Sequence, residues 1–206
     1  ELAKRVQASI ASYYVLADGG GLSDCLHAAP GVPAAKAVAD DHVRSNQLLA
    51  VTLGAIADTD TSIAVLRACE QLLVPGAIRS LADRPVKHAL PVRRDGELLN
   101  DPRHPYQGQY RGDEDTRRKP AYHNGTAWCW PMPLFCEALF RVYGEEARDE
   151  ARALLSSTLK LLEEGCLGQV PEILDGDAPH TQRGCGAQAW SASENLRVWK
   201  LLTFND

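Results

Sequence analysis

Asn46-Gln47-Leu48-Leu49-Ala50-Val51-Thr52-Leu53-Gly54-Ala55-Ile56-Ala57 is followed, two residues on, by a second apolar-periodic run from Asp60 to Val74. In the first run Leu48, Leu49, Val51, Leu53 and Ile56 point to all angles of a helical wheel, as in a helix surrounded by protein. In the second, Ile63, Leu66 and Leu73 keep to one stripe. The pair reads as an inner helix and its outer neighbour, and periodicity of this kind places the chain in the all-α class.

Working outward, further helical segments are expected at about 1–17, 131–143, 145–164 and 187–203. In the later pair, 131–143 and 145–164, Phe135, Leu139 and Val142 line one face of the first helix, Gly144 stops it, and Ala147, Ala151, Leu154, Leu155 and Leu162 turn inward on the second. Alternating runs that would mark a sheet are not evident. Helix hairpins with short connections fit a bundle, a solenoid or a closed α/α toroid equally well.

The chain has 206 residues, 45% of them hydrophobic and 24% charged, which fits one domain with an ordinary core. Its apolar residues are dispersed, so a membrane partner is not expected. The net charge is −5, and Arg117, Arg118 and Lys119 sit among Asp113, Glu114 and Asp115, which argues against a nucleic-acid partner. Six scattered cysteines without a CxxC pair, and no secretory pattern at the start, read as reduced thiols in the cytoplasm. The first residue is Glu1, already inside a helical pattern, which suggests a piece of a longer chain.

Two long connections, about 75–126 and 165–186, are rich in Gly, Pro, charge and aromatic residues, and loops of that length are commonly functional. The first ends in Ala121-Tyr122-His123-Asn124-Gly125-Thr126-Ala127-Trp128-Cys129-Trp130-Pro131. A pyranose offers an apolar C–H face to an aromatic ring and a rim of hydroxyls to donors and acceptors, so His123, Trp128 and Trp130 are candidate sugar contacts. A Trp taken alone more often fills core; here its companions argue for a site.

The second connection contains Val170-Pro171-Glu172-Ile173-Leu174-Asp175-Gly176-Asp177. Glu172 is the one charge in an apolar run, the setting in which a carboxylate is a candidate catalyst. Asp175 and Asp177 read first as turn-forming residues. A metal site built from His104, His123, His180 and cysteines has no ligand spacing behind it, so no metal is expected.

These two strings, with Val43-Arg44-Ser45-Asn46-Gln47-Leu48-Leu49-Ala50, resemble the signature segments of amylo-α-1,6-glucosidase domains, in their usual order and over roughly residues 1–203. The resemblance implies an (α/α)6 toroid of which this single domain, 1–206, supplies the C-terminal part, about six helices. It implies hydrolysis of the α-1,6-linked glucose stub at a glycogen branch point, with inversion and no metal or organic cofactor. Glycogen or a branched α-glucan oligosaccharide would be the partner, beside the remaining N-terminal half of the domain or a second copy covering exposed inner helices.

Carried over, Glu172 is the general base; Tyr110, His123, Asn124, Gln188 and Trp190 contact or frame the glucose; and Arg183 orders the acidic loop through Asp175 or Asp177. Trp190 reads equally as an anchor of the last helix in the core. The family's general acid lies in a Trp-Met-Asp-Ala-like segment that Glu1 to Asp40 does not resemble. Asp18 and Asp24 flank the Gly19-Gly20-Gly21 turn without matching it. Ser45 and Trp130 depart from the family pattern, Ser45 standing where proline commonly precedes the asparagine. A non-catalytic carbohydrate-binding fragment is therefore the competing reading.

Overall fold

A computed structural model of the chain describes residues 1–204. Its α-helices are α1 (Leu2–Tyr13), α2 (Leu48–Thr52), α3 (Thr59–Glu70), α4 (Lys119–Tyr122), α5 (Met132–Tyr143), α6 (Arg148–Ser156) and α7 (Ala189–Thr203). Its strands are β1 (Leu26–His27), β2 (Val38–Ala39), β3 (Leu73–Val74), β4 (Ala77–Arg79), β5 (Arg93–Arg94), β6 (Glu97–Leu98), β7 (Ala127–Trp128), β8 (Ile173–Leu174) and β9 (Gln182–Arg183).

The helix surrounded by protein is α5, not the stretch after Asn46. Met132, Leu134, Phe135, Cys136, Ala138 and Leu139 of α5 are all buried, and α2, α3, α6 and α7 pack around it. Each large apolar side chain buried there contributes about 1.5–3 kcal/mol relative to exposure. Glu137, also buried in α5, accepts from Arg141 within the helix at 2.8 Å and from Arg197 of α7 at 2.6 Å, which ties the two helices together. The 46–57 expectation shrinks to a 3-10 turn at Ser45–Gln47 followed by the five residues of α2, and Leu53 beyond it is 77% exposed.

The 145–164 expectation is likewise broken into α6 between two 3-10 stretches, Gly144–Ala147 and Ser157–Glu163. Helix α3 is capped by Asp58, whose carboxylate accepts from the Thr61 N–H at 2.7 Å. It ends at Glu70, and Leu73–Val74, read above as the helix's last turn, is a strand.

The all-α assignment, with its (α/α)6 toroid, is corrected by that strand and its partners. A five-stranded antiparallel sheet runs in the order β3-β4-β7-β8-β9, and about 45% of the residues are helical against 10% in strands. The strands are two or three residues long, too short for alternation to show. Pro75-Gly76 turns β3 back on β4, and β7 and β8 are paired Ala127 to Leu174 and Trp128 to Ile173. Under the sheet a smaller cluster of Val74, Ala77, Ala127, Cys129, Leu161, Val170 and Leu174 joins it to the 3-10 stretch after α6.

The N-terminal hairpin of β1 and β2 is pinned to the loop at His88 through one buried group. His42, 2% exposed, faces the Asp40 carboxylate with Nδ1 at 3.2 Å and the His88 carbonyl with Nε2 at 2.7 Å. Both partners are acceptors, so both ring nitrogens must donate and the ring is an imidazolium. Burial alone would lower its pKa, but the hydrogen bonds to Asp40 and His88 raise it. Burial likewise opposes ionisation of Asp40, yet donors from His42 and His27 hold its carboxyl well below the usual range.

Candidate active site

The sheet brings the two long connections face to face. Trp128 lies in β7, Glu172 immediately precedes β8, and the Cys129 N–H donates to the Glu172 carbonyl at 3.3 Å. On its other side the Glu172 N–H donates to the Cys185 carbonyl at 2.9 Å. The backbone of Glu172 is thereby held between β7 and the turn after β9.

Its carboxylate is held as well. The Tyr122 phenol donates to Oε1, and the Cys185 N–H donates to Oε2 at 2.9 Å. Burial, followed by the hydrogen bond to Glu172 and its charge, pushes the Tyr122 phenol far above its ordinary value, so it stays a proton donor at any physiological pH. Two donors on separate oxygens fix the orientation of the carboxyl plane. Gly184 makes room for this: its φ is +66°, and a Cβ there would stand 2.4 Å from Oε2.

Tyr122 stands at the end of α4, a short helix whose continuation is set by close backbone approach. Gln107 donates its N–H to the Asn124 carbonyl at 2.6 Å, and a Cβ on Gly125 would meet the Gln107 carbonyl at 2.4 Å. Only glycine fits at that position. The turn delivers a continuous aromatic wall. The Tyr122 ring lies 5.5 Å from Tyr110, 4.8 Å from His123 and 4.7 Å from Trp128. His123 stacks nearly parallel on Trp128 at 5.4 Å, Trp190 meets Trp128 edge-on at 6.1 Å, and Trp130 stacks on Trp190 at 5.2 Å. Five of the expected sugar contacts thus form one surface.

Arg44 holds that wall at His123 and Asn124. Its guanidinium donates to the His123 carbonyl, to the Ser80 carbonyl at 3.3 Å and to Asn124 Oδ1 at 3.0 Å, and pairs with Asp24 at 2.9 Å. Burial, then the Arg44 charge, lowers the His123 pKa, so the ring facing the wall is neutral at neutral pH. The Asn124 amide, with its other end donating to the Pro120 carbonyl at 2.8 Å, is engaged within the protein on both sides and frames the site. Gln188 is the N-cap residue of α7, anchored by its N–H to the Val170 carbonyl at 3.0 Å.

Between Arg44, Asn46, His123, Trp128, Trp130 and Trp190 lies an open cavity of about 340 Å³, within the size range of small-ligand pockets. Asp24 also lines it, whereas Glu172, bonded to Tyr122, does not. Burial raises the Asp24 pKa and outweighs the neighbouring Arg44, whose charge acts in the opposite direction. Ligand atoms of Asp24, Cys25 and Asp40 come within 4.8 Å of one another. Groups of the protein already answer those carboxylates: Arg44 on Asp24, and the His27 and His42 rings on Asp40.

The acidic loop is ordered through Asp175. Its Oδ2 receives Arg183 at 3.0 and 2.9 Å, and its Oδ1 receives the Tyr110 N–H at 2.7 Å. Asp175 is buried, beyond what a turn residue requires. Asp177 accepts from the Tyr106 phenol at 2.9 Å. Tyr122 and Arg44 lie inside the strings quoted from the sequence yet were not singled out there. Neither has a local signal, since their partners are 50 and about 80 positions away.

Residues 96–197 match the family model described as amylo-alpha-1,6-glucosidase. No curated protein matches the sequence. The matched segment contains the aromatic wall, Tyr122 and Glu172, and stops short of Asp24 and Arg44. Over these residues, just under half of the chain, the protein is similar to a glycosidase domain related to glycogen debranching.

Proposed function

We propose that this domain hydrolyses the α-1,6-linked glucose at branch points of glycogen, with inversion and with Glu172 as general base. The observation that carries the reading is the Glu172 carboxylate, oriented by the Tyr122 phenol and the Cys185 amide at the edge of an aromatic wall. In that role Glu172 accepts a proton from a water attacking the anomeric carbon on the face opposite the leaving oxygen. Trp128, Trp130 and Trp190 take the apolar face of the sugar, while His123, neutral and half in solvent, and Tyr110 and Gln188 serve the hydroxyls. No metal or organic cofactor enters these steps.

Inversion also requires a general acid roughly 6.5–9.5 Å from the base. The other carboxylates at this end of the sheet are committed: Asp175 to Arg183 and Tyr110, Asp177 to Tyr106, and Asp24, on the cavity wall, to Arg44. That observation favours a second reading, a domain that binds branched α-glucan without cleaving it unless another segment supplies the acid.

Proton NMR of glucose released from a branched limit dextrin tests the first reading. β-Glucose appears before mutarotation if it is right; α-glucose would overturn it. Tight binding of the dextrin by calorimetry with no glucose released would establish the second reading instead.

A further inference from the structure

The six cysteines fall into distinct environments. Cys69, Cys129 and Cys136 are buried, and burial pushes their thiols up, to about 12 for Cys129 and Cys136, which leaves them unreactive at neutral pH. Cys25 is exposed, but burial of its sulfur region and the charges of Asp24 and Asp40 also raise its thiol. Cys166 and Cys185 are exposed.

These two cysteines occupy adjoining turns, and the Cys185 thiol donates to the Ala187 carbonyl at 3.2 Å. A Cβ built on Gly186 would lie 3.0 Å from Cys166 Cβ and 3.9 Å from its Sγ, so the Cys166 side chain rests against the residue that follows Cys185. The Cys185 backbone is the one that donates to Glu172 Oε2 and accepts from the Glu172 N–H. Both cysteines lie outside helices and strands, where the backbone can adjust to the geometry a disulfide needs.

We propose that Cys166 and Cys185 form a modification site for small disulfides such as glutathione disulfide, closing a reversible intramolecular bridge that draws the Cys185 amide off Glu172. One protein thiolate attacks glutathione disulfide, breaks its S–S bond and becomes a mixed disulfide; the other attacks the protein sulfur of that mixed disulfide and releases the second glutathione. The Sγ–Sγ bond forms, two electrons pass from the protein sulfurs to the two glutathione sulfurs, and the two thiol protons leave on them. Reduction by a dithiol reverses the exchange. The bridge stands on the two turns alone; its effect on hydrolysis rests on the reading of Glu172 as base.

The test is incubation of the whole chain with glutathione disulfide, alkylation of remaining thiols and peptide mapping by mass spectrometry. The expected result is one Cys166–Cys185 cross-linked peptide, lost on treatment with dithiothreitol and absent from Cys166→Ser. Separate mixed disulfides on the two residues, or a bridge to Cys25, would overturn the proposal. Amide exchange by NMR reads the second half: the Cys185 N–H should exchange about tenfold faster or more in the bridged protein than in the reduced one. An unchanged rate would sever the link to Glu172, and Cys166→Ser, reduced, should match the reduced wild type. None of these readouts depends on glucose release, so failure of the hydrolytic reading is recognised separately.

Discussion

The helices around α5 and the five-stranded sheet are built by different means. Around α5 the determinant is apolar surface: nearly every side chain of that helix from Met132 to Leu139 is buried by four neighbours. In the sheet the strands are two or three residues long, and long-range polar links join the small apolar cluster beneath it in setting their places. Tyr122 reaches Glu172, Arg79 donates to the Gly176 carbonyl at 2.9 Å, and Arg183 pairs with Asp175. The difference teaches that stability and chemistry are largely separated in this domain. Cutting the first region should unfold the protein, and cutting the second should disable a protein that still folds.

Phe135→Ala, 4% exposed in the centre of the helical cluster, has the largest expected effect on folding. It should cost about 3–5 kcal/mol in denaturant unfolding. A loss below about 1 kcal/mol would show that the helical region does not carry the stability assigned to it. Gly184→Ala sharpens the contrast from the other side. The strained φ should cost about 1–2 kcal/mol, whereas the displaced Glu172 carboxylate should lower glucose release by about 100-fold. Equal damage to both would merge the two regions.

The Asp40–His42 link gives a pH signature that belongs to neither region alone. His42 has a folded pKa above its unfolded value, so its contribution is complete below about pH 6.5 and is lost as pH rises through the folded value. Asp40 has a folded pKa below its unfolded value, so its contribution is complete above about pH 4 and is lost as pH falls toward the folded value. Melting temperature should therefore be highest between about pH 4 and 6.5, and His42→Asn should flatten the alkaline side of that curve. A wild-type curve with no fall above neutrality would contradict the imidazolium. The smallest effect is expected from Trp190→Ala. Its ring is 46% exposed. Stability should change by no more than about 0.5 kcal/mol, while glucan binding measured by calorimetry should weaken by about 0.5–1.5 kcal/mol.

Much of the candidate site was legible before the fold was. His123, Trp128, Trp130 and Glu172 are recognisable from residue type and setting, and the structure gathers His123, the two tryptophans, Tyr110 and Trp190 into one wall. Helices α1, α3, α5 and α7 follow the 3.6-residue period and lie where it places them, within a few residues. The sheet left no such trace, because Ala127–Trp128 or Ile173–Leu174 is one turn of pattern, indistinguishable from a loop between helices. Helices α2 and α6 were overextended for the opposite reason: apolar residues such as Leu53 and Leu159 continue the period while standing 77% and 58% exposed. Tyr122, Arg44 and the Cys185 amide act through partners far along the chain, and only the folded arrangement reveals them.

The most direct test of the account is glucose release from a branched limit dextrin by the wild-type chain and by Glu172→Gln, with Tyr122→Phe beside them. If Glu172 is the base, Glu172→Gln should retain dextrin binding and lose about 10²–10⁴-fold in rate, with Tyr122→Phe falling between it and the wild type. A rate unchanged in Glu172→Gln would contradict the assignment.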